Sequence, residues 1–316
     1  MAFSVSTLTQ YVNEHKSELL SAAVLSAKTT KLFNLMPEVK GPTTLNLVST
    51  PVTFQSGANC GFSASGDVTF TQRTLTPGVL KVNEEFCPKA LRQYYMQNEV
   101  KLGAGRDVMP FEEQIMASII ANIGAELEKA LWQGDSTNGS GNLALFNGLA
   151  TIVNADCTAV SPATPVISTN NQFTAASGDT IWDRVKTLVQ AVPDSLGNKM
   201  SFYMSSANFR KLCMLAMEKN LYHYERDINN DNLEMIFPGS DIKVIGVPGM
   251  AGLNRIYGFN PEEVYYGFDM EDDNENFKLW FSDDNDTFRF KCQFVAGMQY
   301  AFPQDVLVGI PYGGGN

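Results

Sequence analysis

Apolar positions along this chain change period several times, and each change marks an element. Residues 1–36 place Leu8, Tyr11, Val12, Leu19, Leu20, Val24 and Leu25 at mixed three- and four-residue steps, which predicts an arm with a helical portion ended by Pro37 and Gly41-Pro42. From Thr43 to Val82 the pattern turns strand-like, with Leu45, Leu47, Val52 and Phe54 before a glycine- and serine-rich tip (Ser56 to Gly66), and Val68, Phe70, Leu75, Leu80 and Val82 after it. That arrangement predicts a long two-stranded hairpin. A two-stranded ribbon is marginal in water by itself, so it is expected to lie on another surface.

The clearest element follows. Pro110 suits a first helical turn, and Glu112 and Glu113 complement a helix N-terminus. Phe111, Ile115, Ile119, Ile123, Leu127 and Leu131 then recur at steps of four until Gly134. The predicted rod is roughly 30–35 Å long. A strict step of four drifts around a 3.6-residue helix, so the apolar stripe winds and more than one partner must cover it. Residues 154–179 are rich in Ser, Thr, Ala and Pro and read as irregular. A second helix begins at Gly178-Asp179-Thr180 and carries Ile181, Val185, Leu188, Val189 and Val192 on one face. A short strand, Phe202 to Met204, precedes a third helix that Ser205 and Ser206 can cap. With Ile242 to Gly249 these elements predict a compact α/β unit over 178–256. The last sixty residues return to strands, and Phe288, Phe290, Cys292 and Phe294 alternate cleanly enough to give one buried face.

Composition narrows the function. Of 316 residues, 44% are hydrophobic and only 18% charged, against about a quarter in ordinary proteins. Twenty-three Lys and Arg against 34 Asp and Glu give a net charge of −11, which argues against a general nucleic-acid coat. The longest apolar run, Ile115 to Ala125, is too short for a membrane span, and Met1 to Tyr11 lacks a basic leader; a soluble cytosolic chain is expected. Cys60, Cys87, Cys157, Cys213 and Cys292 are scattered and never spaced Cys-x-x-Cys, so neither a disulfide framework nor a zinc site is expected.

Catalytic signatures are equally thin. His15 and His223 are the only histidines, one in a polar stretch and the other between Tyr222 and Tyr224. A Gly-x-Ser-x-Gly elbow and a phosphate-cradling Gly-x-x-x-x-Gly-Lys loop are absent. Gly103-Ala104-Gly105 lacks the third glycine of a dinucleotide turn, with Val108 in its place. The acidic run from Asp269 to Glu275 fails as a calcium loop, because Asn274 replaces the turn glycine and Trp280 the closing glutamate. No catalytic residue, cofactor or metal is expected.

The order of elements, together with several short motifs, resembles the major capsid proteins of tailed bacteriophages, the Hong Kong ninety-seven phage fold shared with encapsulin shells. The motifs are Leu131-Trp132-Gln133-Gly134-Asp135 before Phe146-Asn147-Gly148-Leu149, Phe202-Tyr203-Met204-Ser205-Ser206 to Leu212, Gly246-Val247-Pro248, and Tyr266-Gly267-Phe268-Asp269. The resemblance implies an α+β fold with an N-terminal arm (1–42), an extended loop (43–82), a peripheral domain (83–177 and 257–316) with a spine helix (110–133) and antiparallel sheet, and an axial α/β domain (178–256). It implies a structural protein whose copies form pentamers and hexamers in an icosahedral shell around double-stranded DNA, located in the virion and assembled in the host cytoplasm. Portal, scaffolding and cement or decoration proteins are the implied partners, with the DNA contacted weakly and no membrane involved. Asn59, Phe62, Arg73, Tyr222, His223, Arg226 and Asn232 are the expected inter-subunit contacts, chosen by their place on the hairpin and axial stretch.

Some relatives cross-link the extended loop through a lysine. This chain has no lysine between Gly41 and Leu80, so no such cross-link is expected. Its start likewise shows no long charged helical prefix, and a scaffold, if one is needed, is expected to be a separate protein. The alternatives are an encapsulin-type shell around an enzyme, and, in another class, a soluble enzyme using its acidic C-terminal loops or His223.

Overall fold

The structure, a computed structural model, describes residues 12, 14–49, 52–54, 69–87, 111–158, 172–174, 178, 180–193, 196–219, 233–269, 277–282 and 284–310. In chain order the elements are α1 (Lys16–Leu25), β1 (Asn34–Met36), β2 (Thr43–Ser49), β3 (Thr69–Leu75), β4 (Gly78–Phe86) and α2 (Phe111–Gln133). These are followed by α3 (Leu149–Thr158), β5 (Gln172–Thr174), α4 (Ile181–Ala191), β6 (Ser201–Ser205), α5 (Ser206–Glu218), β7 (Leu233–Ile236) and β8 (Lys243–Val247). β9 (Ile256–Phe259), β10 (Val264–Asp269), β11 (Phe277–Ser282), β12 (Thr287–Tyr300) and β13 (Leu307–Ile310) complete the set.

Three sheets organise these elements. The first has five strands built around the 14-residue β12. One edge of β12 pairs with β11 along its first half and β10 along its second, and the other edge pairs with β4. Parallel pairing of β1 with β10 extends it. Alternation decides which face is inward: Phe288, Phe290, Cys292 and Phe294 are all buried, as their period-two spacing requires. Burial pushes the Cys292 thiol up to about 12, so this cysteine behaves as a small apolar side chain.

Helix α2 lies under that inward face. Its stripe of Met116, Ile120, Ile123, Leu127 and Leu131 is buried. Ile115 and Ile119, which the strict step of four puts in line, are half-buried, because mixed steps of three and four keep to one side of a 3.6-residue helix. Helix α2 packs against α1, whose Leu20 and Val24 join the same core, and near its C-terminal end Trp132 joins a ring cluster with Tyr203, Tyr257 and Phe259 at 5.7–6.4 Å between centroids. Offset and tilted rings at such spacings add about 0.5–1.5 kcal/mol per pair beyond area burial. The arm is locked to the helix by a buried polar contact. Glu128 accepts hydrogen bonds from the Thr29 backbone N–H at 2.8 Å and hydroxyl at 2.7 Å, and the Trp132 indole donates to the same hydroxyl at 2.7 Å.

The second sheet has six strands in the order β5-β13-β9-β6-β8-β7. Helices α4 and α5 cover it through Val185, Leu188, Phe209 and Leu212, packed on Phe202, Met204 and Val244. Each helix starts at a cap. Thr180 and Asp183 form a reciprocal capping box, and the Ser205 hydroxyl accepts from the Asn208 N–H at 3.3 Å. The resemblance implies that the last strand belongs with the peripheral sheet, but β13 lies in the second sheet, antiparallel to β9. The chain crosses between sheets twice by short turns, Pro261–Glu263 and Pro303–Asp305, and the Ala301 N–H donates to the Glu263 carbonyl at 2.8 Å to tie the crossings together. The strand that leaves the Pro303 turn, β13, pairs with β9, the strand that enters the Pro261 turn.

The third sheet is the two-stranded β2–β3 ladder, which runs from Thr43 opposite Leu75 to Ser49 opposite Thr69. Residues 78–82, which the sequence pattern runs into the hairpin, belong instead to β4 in the first sheet. Pro77 lacks the N–H that would continue the ladder, and the chain changes sheets there.

Candidate functional site

The resemblance points to surfaces rather than a cleft, and the hairpin is the first of them. Its root is seated on the outer face of the first sheet. Leu75 is fully buried over Gly267, and Pro77 sits over Gly297 so closely that a Cβ on Gly297 would come within 2.7 Å of the proline Cα. Only glycine admits that approach. The Gln299 side-chain amide donates to the Thr74 carbonyl at 2.9 Å.

Arg73 completes the seat. Its guanidinium donates to Asp156 Oδ2 at 2.7 Å and to Gln299 Oε1 at 3.2 Å, and lies 4.3 Å from the Tyr300 ring centroid. The Tyr300 hydroxyl also donates to Asp156. One side chain therefore ties the hairpin, α3 and β12 together. With the two charged side chains only 18% and 26% exposed, little solvent screens the pair.

Asp156 reaches this point through the passage after α2, where the tryptophan and glycine motif stands. The Gly148 N–H donates to the Gly134 carbonyl at 2.8 Å, and a Cβ on Gly148 would fall 2.7 Å from the Ala130 oxygen and the Gly134 nitrogen. Two backbone segments cross there with no room for a side chain. Asp135 accepts from the N–H groups of Asn138 and Thr137, which hold its carboxyl below the usual range. The motif turns the chain off the helix and delivers α3 to the hairpin root.

Beyond its root the hairpin has two unlike faces. Leu45 and Leu47 are buried, while Val48 and Phe70, directly opposite each other, are 51% and 75% exposed. Phe54 is 94% exposed. A groove of about 440 Å³ runs between β4 and α2, floored by Leu80, Ile123 and Phe294 and rimmed by Asn83, Asn122 and Glu126. On the second sheet, Met214 and Met217 of α5 and Ile236 of β7 are exposed. Apolar floors with amide rims suit protein segments.

Of the expected contact residues, Arg73 is described, and it makes the intramolecular contacts given above. Asn59, Phe62, Tyr222, His223, Arg226 and Asn232 lie outside the described residues. So does most of the acidic run from Asp269 to Glu275. Sequence reasoning missed Asp156, Gln299 and Tyr300 as partners of Arg73. Among the described residues, no group of three or more His, Cys, Asp or Glu is placed to hold a metal ion, and no helix is long and apolar enough to cross a membrane.

No protein-family model matches the sequence, and no curated protein does. Solved structures do. The chain is similar to a protein of the satellite phage P4 procapsid at a TM-score of 0.60 and 9% identity, over 93% of this chain and 90% of that one. It is similar to a capsid protein of the empty GTA particle at 0.56 and 13%, over 92% and 90%. The virus-like particle from Pyrococcus furiosus aligns at 0.51 and 10%, over 95% and 99%. At such identities it is the path of the backbone that is shared, and over nearly its whole length this chain has the fold of phage capsid shell proteins.

Proposed function

We propose that this chain is a structural protein, a major capsid protein whose copies assemble as pentamers and hexamers into an icosahedral shell enclosing the double-stranded DNA of a tailed bacteriophage. The observation that carries the reading is the hairpin. Its root is fixed by buried and charged contacts, yet Val48, Phe70 and Phe54 project with no cover from the described part of their own chain. A rigidly aimed apolar ribbon is a liability in a monomer and a contact in an assembly. The hairpin tip with Asn59 and Phe62, and the stretch bearing Tyr222, His223, Arg226 and Asn232, are the regions assigned to neighbouring subunits. Portal, scaffolding and decoration proteins are further partners of this reading. The virion is the location, with assembly in the host cytoplasm.

The test is the oligomeric state of the purified chain by size-exclusion chromatography with light scattering, beside Val48→Asp and Phe70→Asp. Rings or shells that the exposed-face variants weaken support the reading. A monomer unchanged by either variant, even with a scaffold protein supplied, refutes it. An encapsulin-type shell is the second reading, supported by the archaeal virus-like particle's similarity over 99% of its length. Particles filled with an enzyme and free of DNA would favour it.

A further inference from the structure

The outer face of the first sheet is divided in two. The half over β10 and the end of β12 is covered by the hairpin root, through Leu75 at Gly267 and Pro77 at Gly297. The half formed by β4, the start of β12 and β11 is left uncovered by the described residues, and its outward positions are read from the register. Lys278 pairs with Lys291, which pairs with Asn83; Trp280 pairs with Arg289, which pairs with Glu85; Gln293 pairs with Lys81. The partners inward of these, Leu279, Phe290 and Cys292 among them, are buried. Lys81, Lys278, Arg289 and Lys291 therefore share one face of a chain whose net charge is −11. Arg289 and Lys291 stand about 7 Å apart along the strand.

The composition of this face suits a protein rather than a polyphosphate. Trp280 lies within reach of the Lys278 ammonium, 5.6 Å from ring centroid to nitrogen, and exposed Val79 continues the same face at the β4 end. Tryptophan and arginine are the side chains that dominate protein interfaces. Glu85, 3.5 Å from Arg289, and Asp269 on the same outer side interrupt the positive field with carboxylates. A nucleic-acid track relies on clustered cations free to neutralise phosphates. A neighbour of the same chain, in contrast, offers more carboxylates than cations over its surface as a whole, since the sequence has 34 of them against 23 cations.

We propose that the open β4–β12–β11 face is a contact between copies of this chain, seated on a carboxylate-bearing surface of the neighbouring subunit. The proposal rests on the shell reading and names how subunits of like net charge adhere: a local basic face offsets their mutual repulsion.

The experiment compares assembly of the wild type, K278E/K291E and K186E at low and high salt by light scattering and electron microscopy, with circular dichroism as the check on folding. Lys186 is exposed on α4, away from this face, and serves as the charge control. The expected result is wild-type assembly that weakens with salt, K186E like the wild type, and K278E/K291E folded but assembling at least about tenfold less at low salt. The neutral K278Q/K291Q pair adds no repulsion and covers any folding defect of the reversal; it should weaken assembly by a smaller factor and flatten the salt dependence. Variant shells that form as well as the wild type overturn the proposal. Normal variant shells that retain less DNA overturn it in favour of a nucleic-acid contact. A wild type that forms no oligomer at all removes the proposal together with the shell reading.

Discussion

Arg73 donates to Asp156 at 2.7 Å across 83 residues of sequence, and the contact sets the direction in which the hairpin leaves the molecule. The pair is sandwiched by the Tyr300 ring on one side and joined to Gln299 on the other, so the guanidinium plane has little freedom. Arginine suits this place because a flat, always charged fork stacks and hydrogen-bonds at once.

Arg73→Ala removes a charge-assisted hydrogen bond and leaves Asp156 in a half-buried site with the tyrosine hydroxyl alone. The expected loss is about 2 kcal/mol of stability, smaller than for a fully buried pair. Asp156→Asn should cost less, and the double variant should show a coupling of about 1–2 kcal/mol in a thermal or denaturant cycle. Hydrogen exchange over β2 and β3 should rise in both single variants while α4 and α5 stay unchanged.

Thr29 stands between Glu128 and Trp132 and serves both. Thr29→Val keeps the volume but removes the hydroxyl, leaving one Glu128 oxygen and the Trp132 indole without it. A loss of about 1–3 kcal/mol is expected. Thr29→Ser should recover most of it, and the tryptophan emission should shift in the valine variant only.

At Gly148 even a methyl group collides with backbone atoms of the preceding helix end. Gly148→Ala is expected to cost about 3 kcal/mol or more, because backbone on both sides must move. Gly197→Ala, where a Cβ meets nothing within 4 Å, should be close to neutral in the same thermal assay.

Two carboxyls mark the crossings between the sheets. Burial raises the pKa of Glu263 and of Asp305; the Asp305 and Glu262 carboxylates further disfavour the ionised form of Glu263, whereas Asn260 and Lys199 act the other way. With folded values above the unfolded ones, the folded state holds more protons in the window between them. Stability from this pair is therefore full below the unfolded values and falls as pH rises through the folded ones. E263Q/D305N should melt higher than the wild type at neutral pH, and the gap should close towards pH 4. Asp135 and Asp183, held low by hydrogen bonds, pull oppositely in both proteins, so the difference between the two curves is the quantity to read.

Much of this was legible in the chain because it depends on near neighbours. The helical run of α2, the capped starts of α4 and α5, and the alternation of Phe288 to Phe294 are local patterns, and each element stands where the pattern puts it. What was hidden depends on partners far away. Glu128 reads as a solvated flank beside Leu127, yet it lies one turn from Trp132 and is buried because Thr29, 99 residues earlier, supplies its donors. Arg73 reads as a contact on the hairpin, and its three partners come from α3 and β12. The strand period of β13 fixes its conformation but not its sheet, which the turn at Pro303 decides.

The central claim is that this fold exists to build a shell, and negative-stain electron microscopy of the purified chain tests it most directly. The account predicts closed particles, or rings of five and six subunits about a central axis. A homogeneous monomer or small dimer with no rings, with a scaffold protein present as well as absent, would contradict it.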